Sequence, residues 1–227
     1  MKAVILAGGR GSRFGEATLH TPKPLITVAG KPLIRHVLDA LPVEITECII
    51  VIGYLGASIQ NALGEAYESI QLQYVYQNEI GTGGALLSAG PLLSLTDRFL
   101  VIGSDDIFGP GELSKLLRVK SRHVWGLYHG IPEKQSAWNI VFDENHILRG
   151  HATTARPFEP RYIGTGAYAL SHEFLSAISV RLPNGEFSIP HSLMRSVEVG
   201  VVMIDKWLQV NDPAQKKVAE QVISSRS

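Results

Sequence analysis

The sequence predicts an α/β fold, three layers deep as α/β/α, with a mostly parallel central sheet and a smaller antiparallel half. Three observations carry that prediction. Apolar, β-rich runs of the kind buried on both faces recur at residues 3–6, 48–52, 72–76 and 98–103, with helix-patterned segments between them. Two of these runs open into glycines, at Gly8-Gly9 and at Gly81-Thr82-Gly83-Gly84, and a third opens into Ser104-Asp105-Asp106. After residue 123 the alternation gives way to a hairpin pattern around Asp143-Glu144-Asn145.

A chain of 227 residues suits one sizeable domain, burying roughly 70–75% of the surface its unfolded form exposes. We expect a single domain over residues 1–227, with halves at 1–122 and 123–227. Its 21 basic and 21 acidic residues cancel, so neither a nucleic-acid groove nor an anionic membrane is an expected partner. The single cysteine, Cys48, sits in an apolar strand and reads as core. No apolar stretch approaches the ~20 residues of a membrane span. A reducing cytoplasm is the expected compartment.

The first strand stops at Ala7-Gly8-Gly9. Gly8, Gly9 and Gly11 open backbone conformations closed to other residues, so main-chain N–H groups can turn toward phosphate oxygens. Arg10 and Arg13 add planar guanidinium forks that suit phosphate. In Pro22-Lys23-Pro24 two prolines hold the backbone on either side of one ammonium. A Walker loop is excluded, because no glycine precedes Lys-Ser or Lys-Thr. The dinucleotide fingerprint fails as well, at Phe14 and at the missing acidic residue after the second strand, which disfavours a nicotinamide-dependent oxidoreductase. The stretch reads as a nucleoside-triphosphate site.

Residues 32–41 form a helical stripe through Leu33, Val37, Leu38 and Leu41, with Pro32 in its first turn, and residues 56–66 form a second helix. The third strand delivers Gln77, whose amide offers a donor and an acceptor to a base edge. Two glycine turns at the ends of adjacent parallel strands line one crevice. The fourth strand sends Asp105 and Asp106 into it, and adjacent carboxylates call for a compensating cation such as Mg2+. Asp105 is the first expected metal ligand. Helices are expected at 110–120, 171–179 and 189–197, strands at 123–129, 162–170 and 199–204, and a last helix begins with Asp212 as N-cap and Pro213 at N1.

Leu6-Ala7-Gly8-Gly9-Arg10-Gly11-Ser12-Arg13, continued by the run from Thr21 through Pro22-Lys23-Pro24 to Ile34, resembles the opening signature of the sugar-1-phosphate nucleotidyltransferases. The resemblance implies a Rossmann-like fold and Mg2+-dependent nucleotidyl transfer from a nucleoside triphosphate to a sugar 1-phosphate. Residue by residue, it implies that Leu6, Ala7, Gly8, Gly9 and Gly11 bind the nucleotide, that Arg13 meets its phosphates, and that Lys23 sits by the reacting phosphates. Gln77, Gly81, Thr82 and Gly83 would form the second nucleotide element, and Asp106, Thr165 and Gly166 would face the acceptor. The second metal position falls on Asn211, with Gln209 as the other register.

Two features depart from the pattern. Arg149-Gly150-His151 stands where Glu-Lys-Pro is common, with Arg149 and Arg156 as candidates for the lost charge, and Gly164 replaces a usual Asn. The readings that remain open are a sugar-1-phosphate nucleotidyltransferase, a cytidylyltransferase acting on a polyol phosphate, and a nucleotide-sugar binding or regulatory protein without catalysis. A homo-oligomer is left open too.

Overall fold

The computed structural model describes residues 1–131, 138–152 and 159–225. In chain order the elements are β1 (Lys2–Ala7), β2 (Thr27–Val28), β3 (Lys31–Pro32), α1 (Leu33–Asp39), β4 (Glu47–Ile52), α2 (Gly56–Leu63), β5 (Ala66–Tyr67), β6 (Ile70–Tyr76), α3 (Gly81–Ala89) and β7 (Arg98–Gly103). Then come β8 (Asp106–Phe108), α4 (Glu112–Arg118), β9 (His123–Gly130), β10 (Asn139–Phe142), β11 (Leu148–Ala152), β12 (Arg161–Ser171), α5 (Phe174–Ala177), α6 (Ile189–Leu193), β13 (Val199–Met203), β14 (Trp207–Gln209) and α7 (Pro213–Ser224).

One eight-stranded sheet, in the order β13-β9-β12-β7-β1-β4-β6-β5, runs through the molecule. β7, β1, β4 and β6 are mutually parallel, as their continuous apolar runs require of strands covered on both faces. β12 inserts antiparallel between β7 and β9, while β13 lies parallel to β9. Within the sheet the second half therefore contributes one long reversed strand. The hairpin β10–β11 is antiparallel and forms its own small sheet.

Alternation along each strand divides the core into two layers. Ala3, Ile5 and Ala7 join Ile34, Val37, Ile59, Leu113 and Leu116 of α1, α2 and α4 on one face. Val4, Ile49 and Val51 join Leu86, Phe174, Ile189 and Leu193 of α3, α5 and α6 on the other. Cys48 is fully buried in the first layer, and burial pushes its thiol well above the ordinary range. A third cluster of Phe14, Val28, Leu33, Ile107, Val210 and Ala219 seats the 12–18 segment and α7 together.

Several boundaries differ from the sequence expectation. Pro32 lies outside α1, with extended backbone in the N-cap position, because it belongs to β3. α5 is four residues long, since Ser171 is still in β12. α6 stops at Leu193, where Ser192 and Ser196 turn their hydroxyls back onto the carbonyls of Ser188 and Ser192. Asp212 caps α7 as expected, accepting from the Gln215 N–H at 2.9 Å. Among the described residues, no helix is long and apolar enough to cross a membrane.

Candidate active site

The carboxyl ends of the parallel strands fall in register, with Ala7 opposite Ile52, Ile52 opposite Tyr76 and Leu6 opposite Gly103. The loops that leave these strand ends are therefore gathered on one side of the sheet, the position at which open α/β sheets take ligands. Gly8 lies so close to Gln77 that a Cβ there would overlap the Gln77 amide. Gln77 in turn donates to the Glu79 carbonyl at 2.7 Å. The first and second glycine turns thus meet through Gln77, although their strands β1 and β6 are not adjacent as expected, because β4 lies between them in the sheet.

Gly11 has φ +66°, and a Cβ on it would come 2.7 Å from Lys23 Cβ, so a glycine is required there by the protein itself. Thr18, buried and overlooked in the sequence, pins the loop by donating to the carbonyls of Gly11 and Gly15. Gly9 differs. Its φ is not positive, and no described residue lies within 4 Å of where its Cβ would stand. Arg13 is exposed in the adjoining 3-10 segment and faces the main cavity.

Pro22 and Pro24 hold a 3-10 turn over Lys23–Leu25 that aims the Lys23 ammonium inward. Its Nζ lies 2.6 Å from Asp105 Oδ2 and 2.9 Å from Asn211 Oδ1. Lys23 and Asn211 are both buried. Backbone pairing sets the approach of the Asn211 segment, for the Val210 N–H donates to the Asp105 carbonyl and Gln209 pairs with Asp106 between β14 and β8. Residues 82 and 188 positions apart in the chain are thus brought onto one cation, which shows that the Asp105 and Asn211 oxygens can share one. That donor set, one carboxylate and one amide oxygen open to phosphates and water, is the kind Mg2+ accepts. Gln209 stands exposed nearby on the cavity wall.

Asp106 behaves differently from its neighbour. It is 1% exposed, and its carboxylate accepts from Trp207 Nε1 at 2.6 Å and from the Gly166 N–H. Burial first, and the adjacent Asp105 second, push its pKa well above the usual carboxylate range. A Cβ at Gly103 or Gly166 would overlap the Asp106 carboxylate, which accounts for both glycines. Asp106 therefore anchors Trp207 and Gly166.

A cavity of about 590 Å3 brings Leu6, Arg13, Thr82, Asp105, Asp106, Thr165, Gly166 and Asn211 together. Gly81 and Gly83 instead pack against residues 186–187 and Ile178, where side chains would clash. Thr82 accepts from the Ile189 N–H at 3.1 Å. Thr165 turns its hydroxyl into the core, donating to the Gly126 carbonyl at 2.8 Å. Arg149 does not reach the cavity's chemistry, because its guanidinium pairs with Asp143 across the hairpin turn. Arg156 lies outside the described residues. Sequence reading missed the aromatic wall of Trp125, Tyr128, Tyr168 and Trp207. Its one signal in the sequence is that all three tryptophans, Trp125, Trp138 and Trp207, fall in the second half.

A family model described as Nucleotidyl transferase matches residues 2–137. The chain belongs to that family. The Bifunctional protein GlmU of Methanococcus maripaludis strain C5 is 25% identical over 220 residues, covering 94% of this chain and 52% of its own length. The chain thus spans about half the length of that relative. The UTP–glucose-1-phosphate uridylyltransferase AglF of Haloferax volcanii is 26% identical over 234 residues, covering 97% of this chain and 96% of its own. A solved Bacillus anthracis structure, assigned as a glucose-1-phosphate thymidylyltransferase, superposes with a TM-score of 0.83 at 22% identity, covering 98% of this chain and 94% of that one. At that identity the likeness speaks for the fold, which is the Rossmann-like nucleotidyl transferase architecture.

Proposed function

We propose that this nucleotidyl transferase moves a nucleotidyl group from a nucleoside triphosphate to a sugar 1-phosphate, releasing pyrophosphate and leaving a nucleotide-sugar. One observation carries the reading: the buried Lys23 ammonium converges with Asp105 and Asn211, which line a cavity that Arg13 also lines. The acceptor's phosphate oxygen attacks the α-phosphorus in line, and the bond from the α-phosphorus to the bridging oxygen of pyrophosphate breaks. Such chemistry asks for positioning and charge stabilisation, so a Ser, Cys or His nucleophile is unnecessary.

In this reading Gly8, Gly9 and Gly11 shape the loop that receives the triphosphate, and Gln77, Gly81, Thr82 and Gly83 frame the base. Arg13 stabilises charge on the leaving pyrophosphate. Lys23 moves from Asp105 to the reacting phosphate, where its charge answers the charge that develops. Asp105 and Asn211 would hold Mg2+, which when bound supplies positive charge to the phosphates. Thr165 and Gly166 border the acceptor, and Asp106 acts through Trp207. The expected setting is the cytoplasm.

The test is pyrophosphate release with Mg2+ across a matrix of nucleoside triphosphates and sugar or polyol 1-phosphates. Release should depend on one pairing. Lys23→Gln and Asp105→Asn, which keep hydrogen bonding at their positions, should each lower turnover by about a hundredfold or more, with circular dichroism unchanged. Full activity in either variant would overturn the role given to that residue. Triphosphate binding with no release from any pairing would favour a regulatory binder, the reading to which the uncharged Asn211 amide also lends itself.

A further inference from the structure

The loop leaving β4 carries Gly53-Tyr54 where a dinucleotide fold would place its acidic residue. Neither residue is charged, so binding a ribose through a carboxylate is not its task. β4 pairs with β1, and its loop therefore emerges against the first glycine turn. The fit is close, for a Cβ on Gly53 would come 2.6 Å from the Gly8 carbonyl oxygen. Leu55, directly after Tyr54, has φ +53°, a left-handed conformation that a bulky side chain keeps only where its surroundings impose it.

Tyr54 spans the first loop from end to end. Its N–H donates to the Gly8 carbonyl at 3.4 Å, where the loop begins, and its hydroxyl donates to the Leu19 carbonyl at 3.0 Å, where the loop finishes. The half-buried ring is thereby fixed relative to the loop, and the Arg10 guanidinium carbon stands over it, 5.3 Å from its centroid. Arg10 is exposed, and among the described residues its guanidinium has no hydrogen bond or ion pair. Arg13 lines the main cavity, whereas Arg10 is held back over Tyr54.

A ring offers a cation its π face and no lone pair, so the N–H fork of Arg10 is left for another acceptor. The acceptor that suits a planar fork in a glycine loop is phosphate. Lys23 and Asp105 mark the α-phosphate in the transferase reading, and Arg10, outside the cavity lining, falls to the phosphates beyond it. We propose that Arg10 recognises the pyrophosphate portion of the triphosphate and that Tyr54 is its positioning residue, holding the guanidinium ready before the ligand arrives. This rests on the transferase reading for what enters the loop, and it adds the residues that select a triphosphate over a monophosphate.

The experiment is calorimetric titration of the full chain, with Mg2+, by ATP, GTP, CTP, UTP and dTTP and by the matching monophosphates. Arg10→Gln should weaken the best-bound triphosphate about tenfold or more, the loss of charge-assisted hydrogen bonds, and its monophosphate by less than about threefold. Tyr54→Leu should weaken the triphosphate about fivefold through lost preorganisation, and Tyr54→Phe, which keeps the ring, should recover most of that. Because Tyr54 acts through Arg10, the double variant Arg10→Gln with Tyr54→Leu should bind within about twofold of Arg10→Gln alone. Arg10 is exposed, so its variant should keep the parent's urea midpoint and carries the test even where Tyr54→Leu fails to fold. Equal losses for triphosphate and monophosphate in Arg10→Gln, or no loss, would overturn the assignment of Arg10. Losses that multiply in the double variant would overturn the positioning role of Tyr54. No binding of any triphosphate would sink this proposal and the transferase reading together. Discrimination by Arg10 in a chain that releases no pyrophosphate with any acceptor would sink the transferase reading alone, and pyrophosphate release by a parent that Arg10→Gln matches in binding would sink this one alone.

Discussion

Gly9 and Gly11 stand two residues apart in one loop, and the structure asks for them on different grounds. Gly11 has φ +66° and sits against Lys23, so Gly11→Ala should cost roughly 1–3 kcal/mol of stability. Among the described residues nothing surrounds the Gly9 Cβ position. Gly9→Ala should therefore unfold in urea within about 0.5 kcal/mol of the parent, yet bind triphosphate about tenfold or more weakly, by crowding the close backbone approach a phosphate needs. Unchanged triphosphate affinity in Gly9→Ala would remove the ligand as the reason for that glycine. At this scale the sequence discloses what chemistry restricts to few residue types. Lys23 between two prolines, Asp105 at a strand end and Asn211 before a capped helix are legible, and the fold brings them within 3 Å of one nitrogen. Sequence alone turns Asp106 toward the acceptor, because its burial is invisible without Trp207 and Gly166. The aromatic wall of the cavity is not legible at all, since Trp125, Tyr168 and Trp207 come from β9, β12 and β14, whose side-chain meeting depends on the folded chain.

Elements with continuous apolar runs are easy to place: β1, β4, β6 and β7 fall within two residues of their expected bounds. The parallel course of β9 and β13 is not, because it depends on pairings between distant residues such as Val201 with Trp125. The start of β9 also carries a pH response. His123 is buried against Phe174, with Nδ1 lacking a hydrogen-bond partner among the described residues and Nε2 3.6 Å from Glu173. Burial lowers its pKa from the ordinary value of 6.5 and outweighs the attraction of Glu173, while Arg122 and Arg98 act in the same direction as burial. The unfolded chain then takes up a proton below pH 6.5 that the folded chain refuses, so stability falls with falling pH in that window and levels off once the folded form titrates. The slope is limited to about 1.4 kcal/mol per pH unit for one group. Urea unfolding of the parent and of His123→Phe, from pH 7.5 to 5.5, should give curves whose separation shifts in favour of the variant as pH falls. Parallel curves would mean that His123 accepts its proton in place.

At the scale of the whole molecule, we propose that the two halves are one cooperative unit, because the sheet does not pause between them. β12 of the second half pairs with β7 of the first along residues 167–171, and one core layer contains Ala3 and Ile50 together with Ala169 and Ile204. Asn211, beyond both, closes onto Lys23. Separating the halves would strip a central strand edge and open that layer to water, a cost much larger than the stability of a typical domain can bear. The tryptophans make this measurable, since Trp125, Trp138 and Trp207 all report from the second half, while the helices α1 to α4 of the first half contribute to far-ultraviolet dichroism. The two signals should trace one urea transition with one midpoint. If loops of the first half bind triphosphate as proposed, saturating triphosphate should raise the tryptophan and dichroism midpoints alike, a gain in stability of about 2.7 kcal/mol at a hundred times its dissociation constant. Two midpoints, or a ligand shift confined to dichroism, would show that the second half unfolds by itself. In that case the contact between Lys23 and Asn211 would be a docking of two units and not the closure of one.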